Sequence, residues 1–336
     1  MDAARQVVGI DVSKLKVDVA LLINGKVKSK VIENTSEGHK FLLEWLGKSK
    51  ASMEALHICM EATGVYYEAL ALALHEAGLK VSVVNPACIK GYGQSENIRN
   101  KNDPIDAALI ARYCLSMNPA LWAPPPLEQR QLRAWTHRIQ ALKDIRQQEE
   151  NRLEAHTVSG MDEVAAHVAV HVKWLDTEIK KLEKEIDDHI DRHPGLKHDA
   201  ALIASIPGIG PTTVARILGH LGDIRRFKSA KALAAFVGVT PKQRSSGTSL
   251  KGRTMISRTG SMSLRAALFM PSLVARRHNP LLNKFAERLL ATGMAKKAVI
   301  CAVMHKLTHL IYGVIRTGKP FDANYLSNGL ALQDGI

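Results

Sequence analysis

The sequence predicts an α/β domain followed by a long, mainly helical chain. Three observations carry this prediction. Short apolar runs alternate with amphipathic segments up to about residue 120, and prolines at Pro124, Pro125 and Pro126 then break the pattern. A charged segment with heptad spacing comes next, and from about residue 196 the chain is helical and basic. The expected boundaries are 1–122, 123–195 and 196–336.

The first region reads element by element. "QVVGIDV" is a buried strand, and "KVDVALLINGKVKSKVI" is a hairpin turning at Asn24-Gly25, a dipeptide that favours the tight turns of two-stranded ribbons. "SEGHKFLLEWLGKSK" is an amphipathic helix, "ALHICMEA" an apolar strand, and "YYEALALALHEAG" a helix ended by Gly78. "KVSVVNP" is a further strand, and "NKNDPIDAALIAR" opens the last helix. Strand, hairpin, helix, strand, helix, strand and helix describe a mixed sheet flanked by helices, of which the ribonuclease H-like arrangement is one example.

In the second region, Leu175, Ile179, Leu182 and Ile186 are spaced by four, three and four residues, as in a coiled-coil seam. Leu132, Ile139, Leu142 and Leu153 mark a weaker helix of the same type. A helical hairpin or a dimerisation arm would use such a seam, and an internal packing face would use it equally well.

Composition narrows the partners. The 336 residues are 46% hydrophobic, enough to fill two or three cores, so the chain is not a disordered one. With 46 Lys and Arg against 32 Asp and Glu, the formal charge is +14, which favours a polyanion. Between Asp223 and Glu287 there is no acidic residue, whereas thirteen lysines and arginines occur, a one-sidedness that phosphate contacts explain better than a solvated face does. The sequence has no uninterrupted apolar stretch long enough to span a bilayer, and "MDAARQVVGIDVSK" does not read as a signal peptide, so a soluble cytoplasmic protein is expected. The four cysteines lack CxxC spacing, which makes buried reduced thiols the expected state.

The candidate chemistry begins with carboxylates. Asp11 ends the strand "VVGID", and Glu61 ends the apolar run in "HICMEATG" in the same way. Asp103 and Asp106 stand three apart around Pro104 at a helix start, where they act as caps or share one face that can aim at a cation. If the four meet at one sheet edge, their mutual repulsion calls for divalent cations, and an all-oxygen set suits Mg²⁺ or Mn²⁺ rather than zinc. Two such ions can clamp a phosphodiester.

Two further stretches belong to nucleic-acid binding. "IASIPGIGPTTVARILGHLGD" resembles a helix-hairpin-helix motif, in which Gly208, Gly210 and Thr212 would bring backbone N–H groups to a phosphate. The alternative is an ordinary helix connection with glycine chosen for tight packing. "TPKQRSSGTSLKGRTMISRTGSMSLR" is rich in hydroxyls, glycines and cations. It reads as a flexible loop wrapping phosphates through Lys242, Arg244, Lys251, Arg253 and Arg258, or as a nucleophilic serine with those cations beside it. Chemistry alone does not choose among Ser245, Ser246, Ser249, Ser257, Ser261 and Ser263. Cys301, His305 and His309 lie on successive turns of one helix and cannot all reach one metal, and His167 and His171 lack a third ligand.

In this order, "GIDVSK", "EATG", "NKNDPIDA", "SIPGIG" and "GVTPKQRSSGTSLKG" resemble the DEDD-type insertion-sequence transposases, the bridge-RNA-guided serine recombinases. The resemblance runs from about Val7 to Phe321. It implies a RuvC-like, ribonuclease H-fold catalytic domain, a coiled-coil dimerisation segment and a C-terminal transposase domain. It places the family's acids on Asp11, Glu61, Asp103 and Asp106 and its nucleophile on Ser246. It further implies a covalent phosphoserine intermediate assisted by Mg²⁺-binding acids, donor and target double-stranded DNA, a structured noncoding guide RNA, and a homo-oligomer, dimer or tetramer, with sites shared between subunits. A structure-specific nuclease or Holliday-junction resolvase using metal-activated water, and a non-catalytic nucleic-acid scaffold, are the rival expectations.

Overall fold

The computed structural model describes residues 6–49, 51–96, 103–242, 245–246, 250–251, 255–257 and 259–324, and gives the backbone alone for 103, 104, 245, 246, 250 and 251. The chain divides into two compact units, Met1–Pro124 and Pro125–Ile336.

The first unit is built on one five-stranded sheet of β1 (Val7–Val12), β2 (Lys16–Ile23), β3 (Lys26–Glu33), β4 (His57–Glu61) and β5 (Lys80–Val84), in the order β3-β2-β1-β4-β5. The first three strands form an antiparallel meander, and β4 and β5 run parallel to β1. This is the ribonuclease H-like strand order. Asn24 and Gly25 both have positive φ (49° and 76°), the turn the dipeptide predicts between β2 and β3.

Helices cover both faces. Val8, Ile10 and Val12 point to one side, where they pack with Leu42 and Leu46 of α1 (Ser36–Lys48) and Leu70 and Leu74 of α2 (Glu68–Glu76). Thr35 caps α1 by accepting from Gly38 N, and Gly78 (φ 78°) follows α2 as expected. The alternate strand positions, Val7, Ala20, Leu22 and Cys59, face the other side and pack with α4 (Asp103–Met117). The sequence reading missed α3 (Pro86–Ser95), which Asn85 caps by accepting from Ala87 N. Cys59 and Cys114 are buried, but Cys88 is exposed and Cys301 half-buried, so the expectation of buried thiols holds for two of the four.

The second unit opens with α5 (Leu127–Val158) and α6 (Asp162–Arg192), joined by a tight turn through Gly160 (φ 71°) into a helical hairpin. The predicted seam, Leu175, Ile179, Leu182 and Ile186, is buried in one cluster with Leu132, Ile139 and Leu142. Lys143 pairs with Glu183 at 2.8 Å, and Arg146 pairs with Asp176, both between the two helices. The seam therefore serves internal packing within the chain. The same core continues through α7 (Pro194–Ala204), α8 (Pro211–Leu221), α9 (Ala230–Val237), α10 (Met262–His278), α11 (Pro280–Ala291) and α12 (Lys296–Thr317).

By length and composition α12 alone among the described helices could cross a membrane, which the sequence reading did not foresee. Half of its apolar window is buried, with Val299, Val303, Leu307 and Ile311 set in the helical core, so it is a core helix.

Candidate active site

Strand parity and register bring the predicted acids to one edge. Asp11 follows Gly9 on the α4 face of β1 and stands opposite Asp18 of β2. Glu61 follows Cys59 on the same face of β4, and because Ile10 pairs with Met60 in the parallel register, Glu61 is the next position beside Asp11. Both carboxylates thus leave the carboxyl ends of adjacent strands on one side of the sheet.

The direction of α4 places its acids there as well. Cys114 Sγ lies 3.7 Å from His57 O, at the start of β4. Midway along β1, Gly9 lies beneath the helix so closely that a Cβ would stand 2.1 Å from Ala107 O and 2.2 Å from Ala111 N. The helix therefore runs against β1, and its first turn, Asp103 to Asp106, lies over the strand ends bearing Asp11 and Glu61. The helix begins at Asp103 itself, one residue before the predicted Pro104. Asp106 is half-buried; the side chain of Asp103 lies outside the described residues.

Two residues absent from the sequence reading attend these acids. Thr63 Oγ1 donates to Glu61 Oε1 at 2.8 Å, fixing one carboxylate oxygen, while Ala62 N donates to Val84 O and prolongs the β4–β5 pairing. Thr63 was within reach of the sequence, standing two residues after Glu61 in "EATG". Asp18 is 4% exposed and is paired with Lys16 Nζ at 3.4 Å. In sequence it reads as an ordinary polar position in an alternating strand.

Among the described residues, no three His, Cys, Asp or Glu side chains stand close enough together to hold a metal. The donor set at this edge, all carboxylate oxygen, nevertheless suits a hard divalent cation in kind, with Asp11, Glu61 and Asp106 carried to the same sheet edge by three elements.

The second unit carries the other predicted residues. Gly208 (φ 105°) sits between α7 and α8, and a Cβ there would meet Ala275 of α10 at 2.6–2.7 Å, so packing alone requires this glycine. Gly210 precedes α8 in open space, and Thr212 is exposed in its first turn. Thr212 also lines a groove with Glu183, Asp187 and Arg216, and those two carboxylates oppose a phosphate at that side of the helix end. Burial and the neighbouring carboxylates Asp191, Glu183 and Asp188 raise Asp187 above the usual carboxylate range.

The described residues of the serine-rich stretch include two short antiparallel pairings. β6 (Pro241–Lys242) pairs with β9 (Met255–Ile256), and β7 (Ser245–Ser246) pairs with β8 (Leu250–Lys251), with Ser246 opposite Leu250. The end of the stretch is clamped: Ser261 N donates to Phe236 O at 2.9 Å, and Gly260 (φ 142°) lies so close to α9 that a Cβ would come within 2.5 Å of Phe236 O. Lys242 is exposed; Ser246 and Lys251 are described by backbone only, and Ser249, Arg244, Arg253 and Arg258 lie outside the described residues. Ser245, like Ser246, is described by backbone only, whereas Ser257, Ser261 and Ser263 have local partners. Ser261 caps α10 by accepting from Leu264 N, and Ser257 Oγ accepts from Thr259 N. Ser263 Oγ lies 3.3 Å from His220 Nε2, and burial, with His137, Arg216 and Arg133 nearby, drives that imidazole down to about 4. His305 and His309 face each other on α12 with ring centroids 4.4 Å apart and form no three-ligand site.

Comparison with known proteins agrees with this layout. Residues 8–159 match the model of the DEDD transposases of the IS110 type, and residues 200–287 match that of the transposase IS116/IS110/IS902 family. A pilin gene-inverting protein of Moraxella bovis is 36% identical over 94% of this chain and 97% of its own length. A transposase for the insertion sequence element IS1328 of Yersinia enterocolitica is 24% identical over 83% and 88%. The T. thermophilus RuvC solved with a Holliday junction substrate aligns over 34% of this chain and 98% of its own, at 16% identity and a TM-score of 0.26, a likeness that adds nothing to the strand order. With two family models in chain order and a full-length relative above 30% identity, the chain belongs to the IS116/IS110/IS902 family of transposases, enzymes that cut and rejoin DNA.

Proposed function

We propose that this transposase works through Ser246 as nucleophile, assisted by Asp11, Glu61, Asp103 and Asp106. The observation that carries the reading is the arrival of Asp11, Glu61 and the first turn of α4 at one sheet edge in a member of a DNA transposase family. Those four acids would hold Mg²⁺, or Mn²⁺, which when bound neutralises phosphate charge and assists the departure of the leaving oxygen. Thr63 holds Glu61 in place for that task.

The serine step balances as a phosphoryl transfer. The Ser246 hydroxyl gives up its proton, its oxygen bonds to phosphorus, and the displaced strand end leaves as a hydroxyl. A hydroxyl end of a second strand then attacks the phosphoserine and frees Ser246, which makes the reaction an exchange of strands without net hydrolysis. Lys242, Arg244, Lys251, Arg253 and Arg258 surround the serine in sequence and supply charge to the phosphate, and Gly210, in open space before α8, offers a further backbone contact. The pilin gene-inverting relative is named for a rearrangement, and rejoining favours exchange over simple cleavage by water.

Choice of DNA sequence is assigned to a structured guide RNA pairing with donor and target, with the protein holding backbones through its basic run in the cytoplasm. The resemblance to RNA-guided recombinases and the +14 charge support this. The test is to incubate the protein with DNA of its element, the flanking RNA and Mg²⁺ and to look for a protein–DNA adduct on a denaturing gel. Wild type forms the adduct, Ser246→Ala abolishes it, and chelation of the metal lowers its yield at least a hundredfold. An adduct that persists in Ser246→Ala refutes the nucleophile, and cleavage with no adduct in any protein establishes the resolvase reaction instead.

A further inference from the structure

Three large apolar side chains stand exposed beside the carboxylate edge: Leu15 (77% exposed), Val65 (64%) and Tyr66 (43%). Leu15 lies in the turn that follows Asp11's strand, and Val65 and Tyr66 lie in the loop that follows Glu61's strand. Leaving such groups in water is unfavourable unless a partner covers them.

The platform beneath them is rigid. Asn34 Nδ2 donates both to Ser13 O (2.9 Å) and to Tyr66 O (3.1 Å), and Asn34 N donates to Leu15 O (3.0 Å). Its Oδ1 meets Nε2 of the buried His39 at 2.9 Å, anchoring the bridge in the unit's interior. Gly64 (φ 61°) turns the loop so that the Tyr66 ring lies 3.6 Å from the position a Cβ would take there. One side chain thus fixes both acid-following loops to each other and aims their apolar groups outward at the same edge.

We propose that Leu15, Val65 and Tyr66 form a rim that receives a nucleobase of the DNA strand whose phosphate lies at the carboxylates. The inference rests on the phosphate-site reading given above. The occupant follows from position and charge. A strand with its phosphate at Asp11 and Glu61 must carry sugars and bases past the adjoining loops, and a base offers a flat apolar face to an aromatic and two aliphatic groups. Lys14, exposed next to Leu15, supplies a cation for the neighbouring phosphate. The rim takes the base out of its stack and thereby orients the scissile phosphate.

The experiment places 2-aminopurine at each position flanking the cleavage site and reads its fluorescence on adding protein, guide RNA and Ca²⁺. Wild type and Tyr66→Phe raise the signal at one position, whereas Tyr66→Ala and Val65→Ala abolish the rise and weaken binding about five- to a hundredfold. Leu15→Ser, in an exposed turn, weakens it as well without any change in melting, which separates the contact from a folding defect. Asp11→Asn keeps the fluorescence rise and loses strand exchange; if it instead keeps exchange, the phosphate-site reading fails independently of the rim. An unchanged rise in all three rim variants overturns the proposal, and so does an unchanged rise accompanied by a smaller particle in solution, which would make the rim a contact between protein copies.

Discussion

At the scale of single residues, Thr63 is the informative one, because its hydroxyl donates to a proposed catalytic acid. The Thr63 hydroxyl restrains one oxygen of Glu61 at 2.8 Å from an exposed position, so its loss costs orientation and little stability. Thr63→Val should lower the rate of strand exchange about three- to tenfold with unchanged melting temperature, and Thr63→Ser should restore it. A fall in Thr63→Ser with Thr63→Val unaffected would assign the effect to the methyl group's packing instead. Asp18 shows the opposite case. It faces the same side as Asp11, yet its carboxylate is buried against Lys16, which gives it a structural role beside the site.

Among secondary-structure elements, the contact of α4 with β1 decides where Asp103 and Asp106 go. Gly9 is what permits that contact, since a Cβ would stand 2.1 Å from Ala107 O, inside any real approach. Gly9→Ala should lift the helix, lower stability by about 1–3 kcal/mol and reduce strand exchange at least a hundredfold, as measured by denaturant melts and product yield. Activity near wild type would show that the position of α4 does not govern the acids. Much of this element was legible beforehand, since Asp103-Pro104 announces a helix start and Asp11 and Glu61 close apolar runs. The stacking of the two was not, because a lone glycine in a strand does not name the helix that covers it. The helix α3 carried the same cap signature at Asn85-Pro86, but Gly91 and Gly93 within it lower helix propensity and hid it. The pairings in the serine-rich stretch were illegible for another reason: their strands are two residues long, too short for any alternation to appear.

For the molecule as a whole, the proposed acids lie in one unit and the proposed serine in the other, on either side of Pro124–Pro125. Such a division allows a working site to be assembled either within one chain or from two. The resemblance that placed Ser246 also implies sharing between subunits, and the arrangement has a consequence that mixing can expose. Asp11→Asn protein retains its serine, and Ser246→Ala protein retains its acids, so each is inactive alone. If a site takes acids from one chain and serine from another, a heterodimer of the two variants carries one intact site of two. Random pairing of equal amounts makes half of the dimers mixed, so co-expression should recover about a quarter of wild-type strand exchange. If each site lies within a single chain, every site in the mixture contains one of the two lesions and no activity returns. Co-expression rather than mixing of purified proteins is the cleaner form of the test, because slow subunit exchange then cannot imitate the second outcome.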